Sequence, residues 1–444
     1  MLTRFSLVLS QWLVYLVLLK NLEDVIGYTG TAFRFPSVTA VVLCVPALLL
    51  VASLLPTQVA RPSSVALWFL ASFVVVPTLA VSAGNPNFGD TTKLMASTSA
   101  VLGFVVLAPL VRVKPVPDKS LTMRRGGVLS EPNFVLLILV LTFASIVTIV
   151  IGYGMRTFDL SFATQYDRRL AVRDLPDPYP GSNYLMAWLQ MPLMPFLVIM
   201  GIQWRRKWLL VMAGACSILI FGFDGQKIVL VIPVLAVAVL YSMRRASSGS
   251  SLPILGLLLT FGALLIPTLT YYVIPNLHLD LWLSRRFGLD PGMLTHQYAA
   301  YASTYGFTHF SQSWARPFMT TQNTDSLGLR VGQMLDPGSA SNSNANLWAD
   351  GYASWGFLGV VIASLILVVT LWVFDYLAMT RAPMVAAATL GTVTFYYVNG
   401  TTHSSLLTGG VLFTIVLTLL MPTGQSPTVS NSQNLLVEPN KPRF

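Results

Sequence analysis

The chain has 444 residues, of which 54% are hydrophobic and only 10% are charged, whereas about 25% of the residues in a typical soluble domain are charged. This composition excludes an ordinary soluble enzyme and indicates a polytopic membrane protein. The formal net charge of +10 would suggest a nucleic-acid partner in a soluble protein. Its meaning here depends on where the charges lie relative to the apolar segments.

Apolar segments long enough to cross a hydrocarbon core of about 30 Å recur along the whole chain. We therefore predict an all-α polytopic membrane protein with about twelve transmembrane helices. They form one transmembrane domain, residues 1–422, and the Pro-, Ser- and Asn-rich segment 423–444 is predicted to be a disordered cytoplasmic tail. The predicted spans are 5–19, 37–55, 64–82, 93–112, 133–153, 184–203, 208–222, 227–242, 252–274, 355–375, 383–398 and 406–421.

Basic clusters follow the even-numbered spans, as in Arg205-Arg206-Lys207 and Arg244-Arg245. The positive-inside rule therefore places these ends and both termini in the cytoplasm. In this topology 15 basic and four acidic residues are cytoplasmic, and 12 basic and 13 acidic residues are outside. Orientation in the membrane thus accounts for the basic excess, and no nucleic-acid partner is expected.

Two long connections fall on the outside, 154–183 and about 275–354, and the larger is aromatic enough to predict short helices within it. The cations on this side run against the positive-inside rule. Arginine forks bind phosphate oxygens in pairs, so these cations are candidate pyrophosphate ligands. Pairing with nearby aspartates or with lipid headgroups is the alternative. The candidates are Arg168, Arg169, Arg173, Lys227, Arg285, Arg286 and Arg316.

All four histidines, His278, His296, His309 and His403, also fall on the outside in this topology. Histidine is a common general base. Tyrosines follow His296 at helical spacing, and such a stripe either stacks on sugars or lies at the membrane interface. The sequence contains no zinc-binding histidine spacing, no D-x-D motif and no P-loop, so no metal or cofactor is expected. The predicted spans are almost free of charges, which disfavours an ion-driven transporter.

Three features of the second half belong together: a hairpin corner at Asp224-Gly225-Gln226-Lys227, an Arg285-Arg286-Phe287 start to the large loop, and the loop exit NLWADGYASWGFLG over 346–359. With the span pattern, they resemble bacterial oligosaccharide repeat-unit polymerases of the Wzy, or O-antigen polymerase, type. The resemblance covers the second half well and the first half only in topology. Some members of the family carry arginine and glycine at a fixed spacing in both outer loops, and this chain does not match that spacing.

The resemblance implies an inner-membrane glycosyltransferase with a periplasmic active face. It would transfer a growing glycan from undecaprenyl pyrophosphate to a lipid-linked acceptor repeat unit, and a chain-length regulator is a further candidate partner. The chemistry needs cations at the leaving pyrophosphate and a base for the acceptor proton. The candidate bases are His296, His309, Asp290 and Asp350. The candidate sugar-stacking rings are Tyr298, Tyr301, Tyr305 and Trp348.

Two alternatives stay open. An O-antigen ligase or another lipid-linked-glycan transferase would share the topology. A ligase would be expected to show a His-Asn pair near the loop exit, where this chain has Asn346-Leu347-Trp348. A transporter or flippase would require a charged, water-filled path through the membrane.

Overall fold

The computed structural model describes residues 1–26, 31–113, 128–154, 158–161, 164–165, 181–274, 279–311, 325–336, 342–381 and 383–422. These residues are overwhelmingly helical and contain no strand, which confirms the all-α polytopic membrane class. Ten helical stretches of these residues are long and apolar enough to cross a bilayer, the last of them Thr402–Leu420, which has a turn at 407–409. The predicted tail, 423–444, lies outside the described residues.

The first nine helices alternate with short connections or with the undescribed segments. They are α1 Leu2–Ile26, α2 Val38–Leu54, α3 Pro62–Gly84, α4 Asp90–Leu110, α5 Glu131–Tyr153, α6 Tyr184–Gln203, α7 Lys207–Asp224, α8 Ile228–Ser247 and α9 Ile254–Val273. Then come a π-helical segment, Asp280–Leu289, and α10 Asp290–Tyr305, α11 Leu327–Leu335, α12 Leu347–Thr380, α13 Pro383–Val393, α14 Tyr396–Asn399, α15 Thr402–Leu406 and α16 Val411–Leu420. Helices α10 and α11 and the π-helical segment confirm short helices within the large loop.

Two of the twelve predicted spans are not among these ten stretches. Helix α2 is apolar and has 17 residues, at the short end of the lengths that cross a bilayer. The predicted span 383–398 is broken: α13 has 11 residues, and turns at Thr394 and Phe395 lead into α14. Helix α12 begins at Leu347, but its backbone is not helical at Trp355 and Gly356, so its long arm begins where the span was predicted to begin.

Four π-helical stretches share one sequence cause. Each ends two residues before a proline: Pro77, Pro195, Pro267 and Pro291. Proline has no N–H and its ring crowds the carbonyl four residues earlier, so the preceding turn widens. Side chains satisfy carbonyls of these stretches. Tyr15 donates to Ser72 O at 2.7 Å, and Ser284 donates to Ala263 O at 3.2 Å.

Helix α3 is the centre of the bundle, since every residue of its most apolar 18-residue window is buried. It packs against α1, α10, α12 and α13. Because a helix with no lipid-facing stripe must be enclosed by protein, the neighbours of α3 are fixed around it. Its C-terminal end at Gly84 therefore holds the large-loop helices in place.

The connections gather at opposite ends of the bundle, as the alternating topology predicts. At one end, the basic end, Arg206 pairs with Glu131 at 3.0 Å and Arg244 donates to Gln203 at 3.0 Å. At the other, the loop end, Gly84 O accepts from Arg34 N and Ser82 contacts His296. The large-loop helices belong to the loop end.

Candidate active site

A cationic cluster lies where the π-helical segment joins α10. Arg285 Nε lies 3.1 Å from Asp290 Oδ1, and Arg286 Nη1 lies 3.3 Å from Asp290 Oδ2. The Arg285 side chain is 17% exposed, whereas that of Arg286 is 53% exposed. Arg286 is thus the member that can turn toward a ligand. Asp290, a predicted base, has both carboxylate oxygens paired with arginines, so its geometry suits it to positioning Arg285 and Arg286.

Lys227 completes the cluster from a distant part of the chain. It follows the turn between α7 and α8, where Gly225 has a positive φ of 68° that favours glycine. Burial, followed by the charges of Arg286 and Arg285, lowers the pKa of Lys227 to about 8. The fold thus brings together three of the predicted pyrophosphate ligands, and with Asp290 the group carries a formal charge of +2.

Arg168, Arg169, Arg173 and Arg316, the other predicted pyrophosphate ligands, lie outside the described residues. Their assignment stays a prediction from the sequence. Of the described outer arginines, Arg330 on α11 donates to Tyr301 OH at 3.2 Å, and this contact ties α11 to α10.

Asn346 joins the starts of α10 and α12. Its Oδ1 accepts from Trp348 N at 3.0 Å and from Ala349 N at 2.9 Å, which caps α12. Its Nδ2 donates to Pro291 O at 3.1 Å. Because Pro291 adjoins Asp290, the capped start of α12 lies beside the cationic cluster. The first residue of the NLWADGY motif therefore has a positioning role.

Asp350 lies one turn into α12, and its carboxylate faces the short connection 399–402. The backbone of Thr402 lies beside it. Its Oδ2 lies 3.9 Å from His403 Nδ1, with the Asp350 side chain 6% and the His403 side chain 28% exposed. A pair of a buried carboxylate and a more exposed imidazole is thus formed across 53 residues of sequence.

His403 is not among the site residues that the sequence predicts. The signal that could have found it is the polar run Asn399-Gly400-Thr401-Thr402-His403 between two apolar segments. Gly400 is needed there because a Cβ would lie 2.5 Å from the Tyr396 ring. Such a tight polar break inside an apolar region is unusual where backbone groups must be satisfied internally.

His296, a predicted base, is enclosed. Its Nδ1 lies 2.8 Å from Gly292 O and its Nε2 lies 2.7 Å from Ser82 Oγ. Since a carbonyl oxygen only accepts, Nδ1 carries the proton and Nε2 accepts from Ser82. The ring packs on Phe88 at 4.9 Å and is 0% exposed. Burial lowers the pKa of His296 to about 4, so it is neutral at physiological pH and packed as a structural residue.

We expect His296→Ala to destabilise the protein by about 1–3 kcal/mol, because Ser82 and Gly292 lose their partner in a buried site. A thermal melt of the purified protein in detergent measures this loss. If His296 were instead the catalytic base, the variant would keep its melting temperature and lose activity alone. His309→Ala is the matched exposed-histidine comparison for the melt, and its melting temperature should not change.

His309, another predicted base, follows the far end of α10. Helix α10 has 16 residues, about 24 Å of helix, and Asp290 begins it. The backbone N–H of His309 donates to Ser354 O at 2.9 Å, and its exposed ring lies 6.2 Å from that of Trp355. The structure therefore separates His309 from the cationic cluster.

The predicted sugar-stacking rings divide by burial. Trp348 is 0% exposed and donates to Ser364 at 3.0 Å, and Tyr298 is 1% exposed and donates to Ser343 O at 2.7 Å. Tyr301 is also buried. These three rings belong to the interior, which corrects their predicted stacking role. Tyr305, 63% exposed, keeps a face available to a ligand.

A cavity of about 240 Å³ opens at the basic end, away from these residues. Arg61 and Asp375 lie in its wall, and Asp375 accepts from Ser63 N at 3.0 Å and from Ser63 Oγ at 2.6 Å. Asp375 thus caps the start of α3, which gives this intramembrane charge a structural role. Among the residues that the structure describes, no group of three or more His, Cys, Asp or Glu could hold a metal ion.

The chain matches no family model, no curated protein and no solved structure.

Proposed function

We propose that this protein is a membrane glycosyltransferase that polymerises lipid-linked oligosaccharide repeat units. It transfers the growing glycan from undecaprenyl pyrophosphate to a hydroxyl of the acceptor repeat unit. The observation that carries the proposal is the group of Lys227, Arg285 and Arg286, drawn from two separate parts of the chain to one end of the bundle.

The chemistry explains why such a group is needed. Breaking the bond between the sugar and the pyrophosphate places negative charge on the departing oxygen, and fixed cations stabilise that charge. Arginine pairs phosphate oxygens in a forked geometry, and lysine adds a compact charge. Both substrates are tethered to the membrane, so holding their reacting groups together supplies a further part of the rate.

The proposal also includes an orientation. The basic end carries the positively charged connections, so the positive-inside rule turns it toward the cytoplasm. The loop end then faces the periplasm of a bacterial inner membrane. There the cations that run against the rule meet an anionic lipid pyrophosphate.

The test uses the purified full-length chain with a synthetic undecaprenyl-pyrophosphate repeat unit, and gel separation of the products. A ladder of lengthening glycans supports polymerisation. A single transfer to a different lipid acceptor would indicate a ligase instead, and movement of the intact lipid-linked unit across a vesicle membrane without bond formation would indicate a flippase. Either result would overturn the proposal.

Lys227 gives this proposal a pH dependence. Below a pKa of about 8 Lys227 is charged and attracts an anion, and above it the charge is lost. We expect inhibition by added pyrophosphate to weaken by up to about tenfold per pH unit as the pH rises through 8, as for one linked proton. Lys227→Arg keeps its charge at pH 9, so its inhibition should stay flat. The same slope in both proteins would show that Lys227 is not a ligand.

A further inference from the structure

We propose that His403 takes the proton from the acceptor hydroxyl and that Asp350 is the positioning residue that holds its imidazole. The inference rests on the proposed function and adds to it the identity of the base. The inference rests on the contact between α12, which carries Asp350, and α15, which carries His403. Neither sequence motif reveals this contact by itself.

The first observation is the state of the Asp350 carboxylate. It is 6% exposed, and its Oδ2 has no hydrogen-bond donor among the residues that the structure describes. A buried carboxylate oxygen without a donor is costly, so such an oxygen calls for a charged or hydrogen-bonding partner. His403 Nδ1 is such a group, and it lies 3.9 Å from this oxygen. A small rotation of the imidazole brings the two into hydrogen-bond contact, and catalytic contacts are often this long before substrate binds.

The second observation is how firmly the backbone holds the pair. Thr402, the residue before His403, lies with its backbone beside the Asp350 carboxylate. Thr401 Oγ1 accepts from Ser404 N at 3.2 Å and caps α15. The same Thr401 oxygen lies 3.2 Å from His403 Nδ1 and 3.3 Å from Nε2. His403 therefore projects from a capped first turn.

The third observation is the relation to the cationic cluster. The ring of Phe287, next to Arg286, lies 5.6 Å from the ring of Phe395. Phe395 belongs to the turn before α14, which leads through the 399–402 connection to His403. On the other side, Asn346 connects the helix that carries Asp350 to Pro291. The dyad and the cluster thus share the same group of packed elements.

In the transfer step one bond to the anomeric carbon forms, one breaks and one proton moves. The acceptor hydroxyl oxygen forms a bond to the anomeric carbon of the donor glycan, and the bond from that carbon to the pyrophosphate oxygen breaks. The hydroxyl proton passes to Nε2 of His403. The Nδ1–H of His403 donates a hydrogen bond to the Asp350 carboxylate, which stabilises the imidazolium. Undecaprenyl pyrophosphate leaves as the anion, held by the cations, and His403 later returns its proton to water.

The other candidate bases have geometries that disfavour the task. His296 has both nitrogens bonded and no exposed surface. Asp290 is held by two arginines. His309 follows the far end of α10. His403, of these groups, combines partial exposure with a buried carboxylate behind it.

The experiment measures elongation kinetics of purified full-length variants on the lipid-linked repeat unit. His403→Ala should lower kcat by about 10²- to 10⁴-fold with KM little changed, and millimolar imidazole should restore part of the rate. His403→Gln fills the same space but cannot accept the proton, so it should stay inactive while keeping the wild-type melting temperature. Thr408→Ala, on the same segment, controls for local disturbance.

Asp350→Asn tests the positioning role. It should lower kcat without abolishing imidazole rescue in the His403→Ala background, and the double variant should be no slower than His403→Ala alone. Wild-type rates in His403→Gln, or additive losses in the double variant, would overturn the dyad while the wild-type ladder leaves the proposed function standing. Failure of the wild-type protein itself to make a ladder would overturn both.

Discussion

Arg286→Ala is expected to slow chain elongation by about 10²- to 10³-fold, the usual cost of removing one group that stabilises developing negative charge. Arg286 is the more exposed of the two arginines that pair with Asp290, so its guanidinium can exchange the carboxylate for pyrophosphate. Exposed ion pairs contribute only about 0–1 kcal/mol to stability. The variant should therefore stay folded, and its loss should be one of rate. Gel ladders and single-turnover transfer measure that rate.

The control is Arg206→Ala, which removes an arginine in an ion pair at the opposite end, with Glu131 at 3.0 Å. We expect its ladder to match that of the wild-type protein. Arg286→Lys should be intermediate because lysine keeps the charge but loses the forked geometry. Equal ladders from the wild-type protein and from Arg286→Ala would show that the cluster does not stabilise the leaving pyrophosphate. The sequence predicts the same loss for Arg169→Ala, a residue outside the described part of the chain.

Apolar length was sufficient to predict most of the fold. Ten of the twelve predicted spans are helices long enough to cross a membrane. The interruption of the predicted span 383–398 could not be predicted, because its composition is apolar throughout while its backbone turns at Thr394 and Phe395. The ring of Phe395 there packs against Phe69 at 5.4 Å and Phe73 at 5.7 Å. A tertiary aromatic contact thus overrides local helix propensity, and no local pattern records it.

In the candidate site too, residues close in sequence could be predicted, whereas contacts between distant residues could not. Arg285 and Arg286 could be selected because their charges contradict the positive-inside rule, a property of the sequence alone. Their shared partner Asp290 follows Arg286 by four residues, the spacing at which side chains meet on a helix, so this pair could also be predicted from the sequence. The Asp350–His403 pair joins residues 53 positions apart. Whether Trp348 is a binding or a core residue depends on its contact with Gly103, which only the packed structure shows.

Gly359→Ala is expected to destabilise the protein more than the same substitution at any other glycine that the structure describes. Helix α12 bends at Trp355 and Gly356, where Gly356 has a φ of 58° that favours glycine. The bend folds the short arm that carries Asp350 back against the long arm. A Cβ at Gly351 would lie 2.7 Å from Gly359 O, and a Cβ at Gly359 would overlap Gly351 O. Both obstacles are backbone atoms, so no side-chain rotation relieves them.

The loss of stability should reach or exceed the about 1–3 kcal/mol of ordinary overpacking, and elongation should fail because Asp350 moves with the short arm. Thermal melting and the monodisperse fraction on size exclusion measure the first effect. Gly214→Ala is the matched control: it lies within α7, a Cβ there meets nothing within 4 Å, and helix propensity predicts a gain of up to about 1 kcal/mol. A Gly359→Ala protein that melts like Gly214→Ala would mean that the two arms of α12 do not meet, and the position of Asp350 beside His403 would lose its structural basis.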